Sequence, residues 1–288
     1  MKRKSLMILA EKELLEASRN RLVLGFGVVF FVLALAMSII GFVLPGAEDV
    51  QFSRVGVSLL NLVTLLVPLI ALLLGSQGFA GEFEDGTMEL LLTQPVGLFE
   101  ICLGRIMGQW TALAAALLAG FGGSGLVLLF FSSDRRVLPF LVNMGTALGL
   151  ALIFLILGSL VSLKSKNRLS ALFAALAVWF VMVILYDIVV VQALMITSGS
   201  VSMALLYALM VLNPTDLLRI LAIRLTDLKE LFGPTTEAMV ALPGFQAPAA
   251  AALIWAAWVL GAYWAVVRSL YRRVYKISNA ARKVLAAK

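Results

Sequence analysis

The stretch GEFEDGTMELLLTQPVG, Gly81–Gly97, sets Glu82, Glu84, Asp85 and Glu89 between two long apolar runs. Asp85 or Thr87 can cap a helix start, and acids in a first turn suit the helix dipole. Met88, Leu91 and Leu92 then recur at i, i+3 and i+4, the apolar stripe of a short surface helix. Pro95 cannot continue that helix, because it lacks the amide hydrogen and clashes with the preceding turn. A compact acidic element of this kind belongs outside the lipid, so the runs on either side of it have to be read as membrane spans.

Composition agrees. The 288 residues are 62% hydrophobic and 14% charged, with mean hydropathy +1.03. A soluble domain is nearer half apolar and a quarter charged. The fold class expected is therefore all-α: one polytopic membrane domain over residues 1–288, since backbone groups in lipid must bond internally. A bilayer core needs about 20 apolar helical residues. Six segments qualify, at about 22–44, 56–79, 107–131, 138–162, 171–195 and 248–268. No ten-residue alternating strands occur, which excludes an outer-membrane barrel. The first run ends FVLPG without a small-residue cleavage signature and reads as a retained span.

Charge sets the orientation. Of the 23 Lys and Arg, six precede or begin the first span, Arg105 follows the second, three lie at 164–168 and seven lie in the tail. With six spans these seventeen share one side and six remain on the other. The positive-inside rule therefore puts both termini and the 81–105 region in the cytoplasm. The formal charge of +7 belongs to this topology and not to a nucleic-acid groove. The chain has no His and one Cys, which excludes an internal disulfide, a histidine-based triad and a Cys/His metal centre. Cys102 reads as a small packing residue.

Residues 1–21 carry Leu6, Ala10, Leu14 and Ala17 on one face with charges elsewhere, predicting an amphipathic helix at the cytoplasmic interface. Met203–Leu212 is too short to span and suits a re-entrant or interfacial helix. It lies in the long outer loop 196–247, expected to form short helices that cap the bundle or meet a partner. In LNPTDLLR, Asn213 caps a helix, Pro214 fits its first position and Asp216 reaches Arg219 at i+3. Local capping explains each of these residues, and contact with an outer partner is the other reading. Asp187 lies inside the fifth span, where an ionisable group is costly and is a candidate functional residue; it pairs with a polar group of another helix, faces a cavity, or makes a structural hydrogen bond within the bundle.

There is no G-x-x-x-x-G-K-[ST] phosphate loop, so ATP is not bound by that route, and no TVGYG filter. Catalytic residues and metal ligands are expected to be absent.

Two stretches carry a family resemblance: KELLEASRNR at 12–21 and GEFEDGTMELLLTQPVGLFEICLGRIMGQ at 81–109. The second is similar to the E-x-x-x-G-T-x-E-x-L-L-x-x-P pattern, closed here by Arg105, of ABC-2 type (type V) ABC transporter permeases. The resemblance implies a non-enzymatic permease subunit of an exporter in the inner membrane. It would work as a homodimer with two copies of a separate ATPase that holds ATP and Mg. Glu82, Glu84, Asp85, Gly86, Thr87, Met88, Glu89, Leu92 and Pro95 would form the coupling helix that docks on that ATPase. AVWFVMVILYDIVV and LNPTDLLRIL resemble the branch serving copper-site maturation of nitrous oxide reductase, which implies a periplasmic NosD-like partner at the outer loop. Export of another substrate (drug, lipid or peptide) and a scaffold that recruits an ATPase without transport are the alternatives.

Overall fold

The computed structural model describes residues 2–43, 51–94, 96–131, 137–196, 209, 211–226 and 248–286. All regular structure among them is helical. The helices are α1 (Lys2–Ser18), α2 (Arg21–Val43), α3 (Gln51–Glu84), α4 (Thr87–Leu92), α5 (Leu98–Phe131), α6 (Val137–Lys164) and α7 (Arg168–Trp179). After a π-helical turn at Phe180–Leu185 follow α8 (Tyr186–Ile196), α9 (Pro214–Thr226) and α10 (Pro248–Ala286). Six of these segments are long and apolar enough to cross a membrane: Arg21–Ile40, Val55–Glu84, Leu98–Val127, Leu138–Lys164, Arg168–Val190 and Ala249–Lys276. Spans two and three run further toward the acidic stretch than their hydropathy suggests, because Glu82, Glu84 and Glu100 are helical as well.

Spans two and four form the centre. Over an 18-residue apolar window of each, 56% and 67% of residues are buried, against 22%, 17% and 17% for spans one, five and six, which present mostly apolar side chains outward. α3 and α6 meet backbone to backbone. A Cβ on Gly75 would lie 2.5 Å from the Leu155 carbonyl oxygen, and one on Gly158 would lie 2.6 Å from that of Leu72. Small residues permit such approach in lipid, where van der Waals packing drives association. Around this pair, α5 packs on α2 through Phe30 and Phe121, whose ring centroids are 5.5 Å apart, and through a Ser38–Ser124 hydroxyl pair. α7 joins α3 by a hydrogen bond from Trp179 Nε1 to the Leu65 carbonyl (3.1 Å).

Arg273 of α10 closes one end. Its Nη1 donates to the carbonyls of Leu163 (2.9 Å) and Ser165 (3.0 Å), groups the last turn of α6 leaves unpaired, and its guanidinium lies 4.0 Å over the Phe83 ring.

α9 turns back into the bundle. Asn213 donates to the Met182 carbonyl (2.8 Å), and Trp258 Nε1 donates to the Val211 carbonyl (2.7 Å). Met182 and Trp258 lie well inside spans five and six. Leu217, Ile220, Ala222 and Ile223 are buried against Leu60 and Ala251. Arg219 therefore sits on a helix wedged among the spans and not on an outer surface loop. Of Met203–Leu212, only Leu209, Val211 and Leu212 are described, and the rest of 196–247 apart from α9 lies largely outside the described residues.

Candidate functional site

Two ionic clusters occupy opposite ends of the bundle. The first joins three elements. α1 lies in a groove on α5 floored by Gly104 and Gly108, where a Cβ would come within 2.9 Å of Leu9 Cβ and 2.5 Å of the Ala10 carbonyl oxygen respectively. The inward face of α1 is Leu9, Glu13 and Ala17. This face is rotated from the one hydropathy selects, because the groove accepts the buried acid. Between the glycines, Arg105 is 3% exposed. Its Nε and Nη2 donate to Glu13 Oε1 at 3.2 and 3.0 Å, its Nη2 pairs with Glu82 Oε1, and its guanidinium lies 4.4 Å from the Phe79 ring centre. One arginine thus ties α1, α3 and α5 together. Removing one partner of such a buried pair costs several kcal/mol, because the other charge stays uncompensated. Arg105 Nη1, Glu82 Oε2 and Gln109 Oε1 have no protein partner. All three residues line a polar cleft of about 360 Å³ beside α1, roomy enough for water.

Beyond Glu82, α3 stops at Gly86, whose φ of 72° is the left-handed conformation that glycine adopts at helix ends. Glu84 Oε2 accepts the Arg168 backbone amide (2.8 Å), and Asp85 pairs with the Arg168 side chain, both half exposed. Such an exposed pair adds at most about 1 kcal/mol and sets geometry instead. The acids at 82, 84 and 85 therefore close the end of span two and do not lie in the first turn of the next helix. That helix, α4, is only Thr87–Leu92. Its N-cap is Gly86, with no side-chain cap, so neither Asp85 nor Thr87 caps it; Thr87 Oγ1 instead donates to the Glu82 carbonyl (3.4 Å). Met88 is fully buried and anchors α4 to the core, with Leu91 and Leu92 partly buried beside it. Glu89 and Leu90, the latter 69% exposed, face outward. Pro95 lies outside the described residues.

The second cluster assembles Asp187, Asn213, Pro214, Asp216 and Arg219. Asn213 Oδ1 accepts the Thr215 amide (3.0 Å), and Pro214 takes the first helical position, as the spacing predicts. Arg219 Nη1 and Nη2 both donate to Asp187 Oδ2 at 3.0 Å, while Asp216 Oδ1 lies 3.5 Å from Nη1. Asp187 is thus paired with α9 across 32 residues of sequence. Tyr186 donates its hydroxyl to the Leu209 carbonyl.

Among the described residues, no group of three or more His, Cys, Asp or Glu could hold a metal ion. Cys102 is buried in the core. Glu13 and Arg105 were not legible as a pair, since 92 residues separate them. The Gly104-x-x-x-Gly108 spacing was the available signal, because it marks close helix approach in membranes.

A family model described as ABC-2 family transporter protein matches residues 7–273. The chain is 35% identical over 274 residues to the "Probable ABC transporter permease protein NosY" of Pseudomonas aeruginosa. The protein of the same printed name from Stutzerimonas stutzeri is 34% identical over 282 residues. Each alignment covers 92% of this chain and 97% of the relative.

Proposed function

This chain belongs to the ABC-2 family of transporter proteins and is a permease component of an ABC transporter; from that premise we propose that a separate ATPase drives it through α4 and that it serves copper-site maturation of nitrous oxide reductase. The NosY-like identity over almost the whole chain supports the second part. The first rests on one observation, the buried Arg105 bridge to Glu13 and Glu82. A load on α4 reaches Glu82 through four residues of backbone and leaves by two routes, one into α5 and one into α1. The fully buried Met88 makes α4 a rigid stub and not a flexible loop, so displacement is transmitted instead of absorbed.

In this reading both termini and α4 are cytoplasmic, the permease functions as a homodimer with two ATPase copies, and ATP with Mg is bound by those ATPases. A NosD-like periplasmic protein would meet the 196–247 side. The contact surface combines the exposed Glu84, Asp85, Thr87, Glu89 and Leu90, while Glu82 and Met88 act behind it. Among the described residues, the side chains of Glu89 and Leu90 are exposed and form no hydrogen bond or ion pair, which gives a clean test. Affinity purification in mild detergent is expected to recover an ABC ATPase with the wild-type permease. Leu90→Asp should reduce that recovery about tenfold, as loss of one interface anchor does, without lowering the melting temperature. Recovery of no ABC ATPase with the wild type would overturn the reading. Undiminished recovery with Leu90→Asp would move the docking surface away from α4.

A further inference from the structure

The last helix holds a surface that the transport reading does not use. From Pro248 to the end of the chain there is no Asp or Glu, while seven Lys and Arg occur. Along α10, Trp264, Arg268, Tyr271, Arg272, Tyr275 and Lys276 follow at i, i+4, i+7, i+8, i+11 and i+12, one face of a helix, and all six are exposed. Arg273 is directed elsewhere, to the end of α6.

Depth gives the face its meaning. α10 starts at Pro248, so Arg268 lies about 30 Å along the axis, the thickness of the hydrocarbon core, and Trp264 lies just inside that edge. The Arg268 guanidinium sits 4.8 Å from the Trp264 ring, and Tyr271 and Tyr275 stack with centroids 6.4 Å apart. The aromatic rings present flat amphipathic surfaces at the level where tails give way to headgroups. Among the described residues, no carboxylate pairs with Arg268, Arg272 or Lys276, whereas Arg105, Arg168 and Arg219 all have acidic partners. Three uncompensated cations in about two turns, on an aromatic ledge at headgroup depth, complement a phosphate-bearing anionic surface.

We propose that this face of α10 binds the headgroups of anionic phospholipids in the leaflet at the α4 end of the bundle. The assignment stands apart from the ATPase reading. It bears on the same machinery, because Arg273, on the opposite side of the helix, grips the end of α6 and covers Phe83, three residues before Gly86.

The test uses the full chain reconstituted in phosphatidylcholine vesicles, titrated with dibrominated phosphatidylglycerol or dibrominated phosphatidylcholine. Fluorescence from Trp264 is isolated by subtracting the Trp264→Phe protein. Brominated phosphatidylglycerol is expected to quench Trp264 at a several-fold lower mole fraction than brominated phosphatidylcholine, with the preference shrinking as salt is raised. Arg268→Gln with Arg272→Gln and Lys276→Gln should bring the two lipids to parity, while the charge-conserving Arg268→Lys, Arg272→Lys, Lys276→Arg protein keeps the preference. Equal quenching by both lipids in the wild type, or a preference that survives the glutamine set, overturns the proposal. So does loss of the preference in the charge-conserving set, or quenching of Trp264 by neither lipid.

Discussion

Arg105→Met is expected to destabilise the permease by about 3–5 kcal/mol, the cost of leaving buried carboxylates without their cation. Glu13 is 5% exposed and the Glu82 side chain 15%, so neither can turn to bulk water without moving its helix. The readout is the melting temperature in detergent, followed by gel filtration after stepwise heating. A second protein separates charge from shape: adding Glu13→Gln and Glu82→Gln to Arg105→Met removes every charge and should recover most of the lost stability. On the proposed coupling, the recovered protein should still fail to convert ATP hydrolysis into transport, because the bridge between α3, α1 and α5 is gone. If Arg105→Met melts with the wild type, the bridge is not what holds the three helices. If the neutral triple variant transports normally, the bridge holds the fold but does not transmit the load.

Gly108→Val tests the same junction through packing. A Cβ there meets the Ala10 carbonyl oxygen at 2.5 Å, Glu13 Cβ at 2.5 Å and the Leu14 amide nitrogen at 2.9 Å. Two of these three are backbone atoms of α1, so no rotamer change relieves the clash and α1 has to lift from α5. Overpacking of this kind costs about 1–3 kcal/mol. The sharper expectation is local: proteolysis within residues 2–18 should accelerate at least tenfold while spans two and four stay protected. Gly122→Val, at a position where a Cβ meets nothing within 4 Å, serves as the control. Equal cleavage in the two variants would show that α1 does not depend on the groove.

The spans were legible because length and hydropathy are nearly sufficient for a helix in lipid. What hydropathy could not see was where the acidic stretch divides. Glu82 and Glu84 read as the opening of a helix but close the preceding one. The break at Gly86 decides between the two, and a lone glycine after a helical run is itself an end signal. Asn213, Pro214 and Asp216 were legible as a cap because capping is local. Their assembly with Asp187 was not, because it depends on α9 turning back among the spans. An apolar run too short to cross was the only hint of that turn. Arg219 read only as the i+3 partner of Asp216, and its pairing with Asp187 was hidden for the same reason. Glu13 was hidden by its own charge: amphipathic analysis turns acids outward, while a cation supplied from another helix made the inward orientation favourable.

The π-helical turn at Phe180–Leu185 has a further consequence. A π turn carries one residue more than an α turn, so span five holds a spare position between Trp179 and Tyr186. Asn213 grips the Met182 carbonyl within that turn, so α9 fixes the register of the half of the span that follows it. Were α9 to withdraw and the turn relax to α geometry, Tyr186–Ile196 would swivel through about 100° and advance about 1.5 Å. The half before the turn, held to α3 by Trp179, would not have to move. Span five is thus jointed like a ratchet with one tooth, and the pawl belongs to the segment that dips in from the far side.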